Sequence, residues 1–320
     1  MSNPFIYTDE QKSLLDTLRT ALSEICSSEK LRKYSSDNSI EKSLDDQIQQ
    51  LGINEFASDS ATSTVDLNLI ANEFGRALVP LKHLYEVLAD CFIKNSLNIN
   101  RPDKITFGFQ FQNKSHISFL PSNLNSSCIL LKIEDFFNQE VISLISFDKT
   151  NLTPHHSIDL VDRDYQSSDL VKEELTFNIA QSDTIKKIFL IAVASYCCGC
   201  LSKIFDLTND YVKSRKQYGA PIGSFQAVQH QLSDVYLNLE SSWSLCECAA
   251  RSMDNFAVNS AIHYAAQVIP SSLETLLQLH GGIGFTWEYD LHLYLRKVLK
   301  LLSLCGISES SYSKILEQIN

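Results

Sequence analysis

A chain of 320 residues with 44% hydrophobic content has the make-up of an ordinary globular protein and room for one large or two to three small domains. Its net charge of -11 disfavours nucleic acid or an anionic membrane as partner, because phosphate surfaces repel acidic proteins, but a small anionic ligand held by a few local cations stays compatible. The opening MSNPFIYTDEQK has no basic stretch followed by an apolar run, so no secretory signal is expected. No uninterrupted apolar stretch reaches the ~18 residues of a membrane span. The nine cysteines sit mostly within apolar helical patterns, which suits reduced thiols in a cytoplasmic protein.

Residues 1–100 read as an N-terminal helical domain. Thr8 and Gln11 have capping-box spacing ahead of Leu14, Leu15, Leu18 and Leu22. A second helix carries Ile40, Leu44, Ile48 and Leu51 on one stripe, with Gly52 placed to end it. Then follow VDLNLIANEFGRALVP and LKHLYEVLADCFIKNSL. Over residues 101–180 the period changes. The runs ITFGFQFQ, SCILLKI, VISLISF and EELTFN have strand length and are separated by Asn, Ser, Asp and Pro. They predict a small antiparallel β domain, sandwich or barrel. Residues 181–320 return to helices over 185–216, 225–255, 261–279 and 291–304. Apolar positions there recur every three and four residues, as in an antiparallel four-helix bundle. The fold class is therefore α+β.

Two segments of the bundle carry chemistry. In SRKQYGAPIGSFQ, Gly219, Pro221 and Gly223 break the helix and leave Arg215, Gln217 and Tyr218 near an exposed end. Some sixty residues on, QLHGGIGFTWE places Gly281 and Gly282 after a helix, where bare backbone lets a flat or charged group approach. An arginine suits a pyrophosphate because its planar fork bonds two oxygens at once. CCGC, Cys197 to Cys200, has CxxC spacing but no second such pair, since Cys246 and Cys248 are one residue apart on a helix. It reads as small residues that bring two helices close. His280, just before the glycine turn, reads as a capping or cofactor-lining residue.

This pair of segments resembles the C-terminal helical domain of flavin-dependent acyl-CoA dehydrogenases. ANEFGRALVP is similar to that family's N-terminal helical domain, and the helix–sheet–helix layout matches. The resemblance implies FAD as cofactor and an acyl-CoA thioester as substrate. It implies that Arg215, Gln217, Tyr218, Ile222, Phe225, Gln226, Gln278, Gly281 and Gly282 contact a neighbouring subunit's FAD, the last three around its AMP half. It also implies a carboxylate base that removes the α-proton while the β-hydrogen leaves as hydride to the flavin. In most members that base lies nine residues after an arginine in a Tyr-Glu-Gly element. From Arg296 the same count reaches Cys305, in Leu304-Cys305-Gly306. A thiol with a reference pKa of about 8.5 is mostly protonated at neutral pH and makes a poor substitute. The alternative base position, on the first bundle helix, falls at Phe189, beside Leu190 where a CoA-binding arginine often sits. The family's flavin-ring loop of Thr and Ser donors has no counterpart in the β region.

The groups retained would serve a neighbour's cofactor, and those lost would serve the chain's own site. The resemblance thus implies a base-lacking subunit of a hetero-oligomer, paired with a catalytic acyl-CoA dehydrogenase homologue. A homodimer or tetramer with a relocated base, Glu288 or Asp290 in TWEYD, is the alternative, although acidic residues there also suit the start of a helix. A flavin-free scaffold is the third reading. Acyl specificity and pathway are not legible in the sequence.

Overall fold

A computed structural model describes residues 7–57, 59, 62–97, 105–110, 117–119, 127–132, 142–146, 152–155, 157–167, 172–286 and 289–305. Six helices come first: α1 (Asp9–Ile25), α2 (Ser28–Tyr34), α3 (Asn38–Gln49), α4 (Ile53–Ala57), α5 (Thr64–Arg76) and α6 (Leu81–Leu97). The α1 capping box is present. Thr8 Oγ1 accepts from the Gln11 backbone N–H at 3.2 Å, and the Thr8 N–H donates to Gln11 Oε1 at 3.1 Å. Leu44 and Ile48 of α3 are buried, and Gly52 has φ +68° just beyond the helix. The short helices α2 and α4 were not expected, being too brief to show a helical period.

The second layer is a seven-stranded sheet of β1 (Ile105–Gln110), β2 (Ile117–Phe119), β3 (Ser127–Lys132), β4 (Ser143–Ser146), β5 (Leu152–His155), β6 (Asp164–Ser167) and β7 (Lys172–Thr176). Its order is β5-β6-β2-β1-β3-β4-β7. Among the described residues every ladder is antiparallel, as expected, except one: β1 runs parallel to β3, with Ile105 opposite Ser127. The chain folds back from β1 into β2 on one side, then crosses to the other side of β1, so β3 runs in the direction of β1. Strand β1 is consequently central and buried along its length (Ile105 to Phe109), the pattern of a strand covered on both faces. The strands that sequence reasoning missed, β2, β5 and β6, have three or four residues, too few to show alternation. Pro154 is accommodated in β5 because β5 is an edge strand.

The third layer is α7 (Ile179–Ser214), α8 (Gln226–Ser252), α9 (Asn255–His280) and α10 (Leu291–Ser303). Helix α7 is the one described helix long and apolar enough to cross a membrane, yet 78% of its apolar stretch is buried inside the protein. It packs on α5 through two glycines. A Cβ on Gly75 would meet the Tyr196 carbonyl oxygen at 2.0 Å, and one on Gly199 would meet the Asn72 carbonyl oxygen at 2.0 Å. The small residues of CCGC thus set how near α5 and α7 come.

Where α6, β1 and α7 meet, Tyr85, Phe107, Phe109 and Phe189 form one aromatic cluster, with Phe189 5.3 Å from Phe107 and 5.7 Å from Phe109 between ring centroids. Helix α10 is fixed by buried charge. Lys297 is fully buried, forms an ion pair with Asp159 at 2.6 Å and donates to Asp162, while Lys300 donates to Asp164 at 2.6 Å. Asp162 also accepts from the Leu81 backbone N–H at 3.0 Å, capping α6. Burial pushes both carboxyls up. For Asp159 the ammonium groups of Lys297 and Lys300 outweigh burial and hold it below the usual carboxylate range. For Asp162 burial prevails, helped by the Asp159 charge, and its pKa is pushed up to about 7.

Two outcomes are expected. Gly199→Ala forces apart two packed backbones and should cost roughly 2–4 kcal/mol of unfolding free energy, read from urea denaturation midpoints. The two aspartates oppose one another in pH. Asp162, raised from an ordinary value of about 3.9, contributes stability that is complete below that value and fades as pH rises through about 7. Asp159, depressed, contributes stability present above about pH 4 that is lost as pH falls further. Asp162→Asn should therefore flatten the stability profile between about pH 4 and 7 and leave the acid limb in place.

Candidate functional site

The last turn of α7 hands the chain into a small hairpin of β8 (Lys216–Gln217) and β9 (Ala220–Pro221). Arg215 leaves the helix in extended conformation, and its carbonyl accepts from the Ile222 N–H at 2.8 Å. The hairpin turn is Tyr218-Gly219, with φ 52° and 82°. Positive φ at both central residues is the primed turn geometry that matches strand twist, and it is unusual for a tyrosine. Tyr218 is 96% exposed, and its ring sits edge-on to exposed Phe225 at 6.4 Å. A short 3-10 turn, Ile222–Ser224, then leads into α8, whose first residue is Gln226.

The second segment arrives from α9. Helix α9 ends at His280, and Gly281 takes φ 64° at the start of a 3-10 turn, Gly281–Phe285. A Cβ on Gly281 or Gly282 would meet nothing within 4 Å, so both face open space. Gly284 is different. Its Cβ would meet the Leu277 carbonyl oxygen at 2.6 Å, which ties the turn to the helix end.

The two segments meet. Arg215, Gln217 and Ile222 from the first, with Gln278, Gly281 and Gly282 from the second, line one open cavity of about 430 Å³. Tyr218, Phe225 and Gln226 lie outside it, exposed on the adjoining hairpin and the start of α8. Tyr211 and His280 form the base of the site, their rings stacked at 4.2 Å. Thr208, one helical turn before Tyr211, is the residue sequence reading missed. Its hydroxyl lies 3.0 Å from His280 Nε2, and no motif announces it. Burial lowers the His280 pKa below the ordinary histidine value, so the ring is neutral at physiological pH. An exposed guanidinium, two amides and two bare glycines with open space above them suit the phosphate and sugar portions of a nucleotide.

The positions considered for a base lie elsewhere. Cys305 is fully buried, its Sγ donates to the Leu301 carbonyl at 3.6 Å, and burial pushes its thiol far above the usual range, so it stays protonated. Phe189 is sealed in the aromatic cluster, and Leu190 beside it is buried. Asp290 is buried and engaged by the Arg32 guanidinium on both oxygens, Nη2 to Oδ2 at 2.8 Å. Glu288 and Gly306 lie outside the described residues. Cys197, Cys198 and Cys200 are buried in α7, with Cys198 Sγ 3.9 Å from Cys246 Sγ on α8. Among the described residues no group of three or more His, Cys, Asp or Glu is placed to hold a metal ion.

Comparison with known proteins agrees with this layout. Residues 190–319 match the family model for the acyl-CoA dehydrogenase C-terminal domain. The chain is 24% identical over 241 residues to acyl-CoA dehydrogenase IpdE2 of Mycolicibacterium smegmatis, covering 75% of this chain and 74% of that protein. It is 35% identical over 107 residues to IpdE2 of Mycobacterium tuberculosis, covering 33% of this chain and 34% of that protein. Two solved structures share the fold almost end to end. The Tcur3481-Tcur3483 steroid ACAD superposes with a TM-score of 0.77 at 18% identity, covering 97% of this chain and 98% of that chain. The ChsE4-ChsE5 complex from Mycobacterium tuberculosis does so with 0.75 at 15%, covering 100% and 99%. Residues 190–319 thus match the acyl-CoA dehydrogenase C-terminal domain, and the chain as a whole has the acyl-CoA dehydrogenase fold from end to end.

Proposed function

We propose that this chain is the base-lacking subunit of a hetero-oligomeric acyl-CoA dehydrogenase. It lends its hairpin and glycine turn to the nucleotide end of an FAD whose reactive ring lies in a catalytic partner. The observation that carries this reading is a separation within one chain. Arg215, Gln217, Gln278, Gly281 and Gly282 converge on an open surface cavity, whereas the described base positions hold a buried thiol and a buried phenyl ring. FAD, when bound, supplies the hydride acceptor for α,β-dehydrogenation of an acyl-CoA thioester. This chain's part is to bind and orient. Arg215 pairs with phosphate, Gln217 and Gln278 offer amide hydrogen bonds, and exposed Tyr218 and Phe225 form the apolar edge that meets the partner. The description of one structural neighbour as a complex, and of another as a steroid ACAD, supports both a two-chain enzyme and a bulky polycyclic acyl group as the substrate class to try first.

The test is reconstitution. The purified chain mixed with homologues that keep the glutamate should form a complex that retains flavin absorbance through size exclusion and oxidises acyl-CoA. The chain alone should show no dehydrogenation. A homodimer that carries FAD and oxidises acyl-CoA unaided would sink the reading.

Gly282→Leu offers a second check. Open space above Gly282 lets the fold accept the side chain, while the side chain fills the cavity. FAD affinity of the complex should fall by about tenfold or more, roughly 1.4 kcal/mol, with the melting temperature of the isolated chain unchanged. The Arg32–Asp290 pair also answers the relocated-base alternative. Asp290→Asn should leave turnover of the complex within about twofold and lower thermal stability instead, as loss of one partner of a buried ion pair does.

A further inference from the structure

We propose that His280 is the donor-selecting residue of this cavity and fixes the direction in which a nucleotide lies across it. The inference rests on the reading that the cavity holds the nucleotide end of FAD.

The argument is one of proton placement. Thr208 Oγ donates its single hydrogen to the Ile204 carbonyl, 2.7 Å away. The same oxygen can then only accept from His280 Nε2 at 3.0 Å. The ring proton is therefore on Nε2, and Nδ1 is left as a bare acceptor. Among the described residues His280 Nδ1 has no hydrogen-bond partner, and the residue is only 4% exposed. A buried acceptor with nothing to accept from is unusual, and a ligand that brings a donor relieves it.

That acceptor discriminates. A phosphate oxygen at neutral pH offers lone pairs and no hydrogen, so it is repelled from Nδ1. A ribose hydroxyl or the exocyclic amine of adenine donates and is accepted. Arg215, on the other segment lining the cavity, has the opposite preference, since a guanidinium has donors only and pairs with phosphate. The nucleotide therefore lies with its sugar or base over Gly281 and Gly282, beside His280, and its phosphates toward Arg215. Tyr289, 41% exposed, has its ring 5.6 Å from the imidazole, and Tyr211 is stacked on it at 4.2 Å.

Calorimetric titration of the full chain with ADP and, separately, with inorganic pyrophosphate tests this. His280→Phe should weaken ADP about tenfold, the size of one hydrogen bond, and leave pyrophosphate unchanged. Arg215→Ala should weaken both. Thr208→Val, which frees the tautomer, should weaken ADP only, and His280→Gln, which keeps an acceptor, should restore part of the loss. Long-range proton–nitrogen NMR gives a signature that packing alone does not produce: the His280 Nδ1 resonance should move on adding ADP and stay fixed on adding pyrophosphate. Equal ADP affinity in wild type and His280→Phe, with Arg215→Ala still impaired, would overturn the proposal and leave the FAD reading standing. A wild-type chain that binds neither ADP nor pyrophosphate overturns both.

Discussion

Two helices that touch backbone to backbone set the frame for everything else. Gly75 on α5 and Gly199 on α7 each lie where any side chain would strike a carbonyl oxygen of the other helix. At that separation α7, apolar on most of its surface, can be wrapped by α5, α8, α9 and the sheet and still run its full 36 residues. Its far end then emerges beside the end of α9, and the hairpin and the glycine turn are brought together. A wider spacing between α5 and α7 would tilt this rod and part the two segments that line the cavity.

The described interior shows what fills the places where a base was expected. The junction of α6, β1 and α7 is filled by four aromatic rings, and the Cys305 thiol is sealed at the end of α10. Stable packing and a solvent-reaching carboxylate make opposite demands on these places. Here packing has been favoured, with the ionisable groups held in paired, structural roles: Asp290 with Arg32, and Lys297 with Asp159 and Asp162. Elsewhere in the bundle the hairpin and the glycine turn line a cavity that is open to solvent.

The long helices were legible because they carry many turns of apolar period. The α1 cap was legible because a capping box is a local pattern. The Arg215 and Gly281 segments could be recognised, but their common role came only from the family resemblance; no spacing in the sequence places the end of α7 beside the end of α9. The short strands β2, β5 and β6 were not legible, nor was the parallel β1–β3 ladder, since strand direction depends on a crossover that no local spacing records. The same holds for side-chain pairs distant in sequence. Thr208 with His280 and Arg32 with Asp290 are separated by 72 and 258 residues, and nothing near any of the four marks the partner.

The cavity has unequal walls. The glycine turn runs on toward α10, whose wholly buried ammonium cannot shift without dragging a charge through a medium that solvates it poorly. The opposite wall is a ribbon of two-residue strands, largely bathed in water, whose tip holds a tyrosine at positive φ. Such a cavity pairs a fixed anvil with a pliant jaw: the exposed ribbon is the wall that opens at the lower free energy, and the turn anchored through α10 is the wall that keeps its shape.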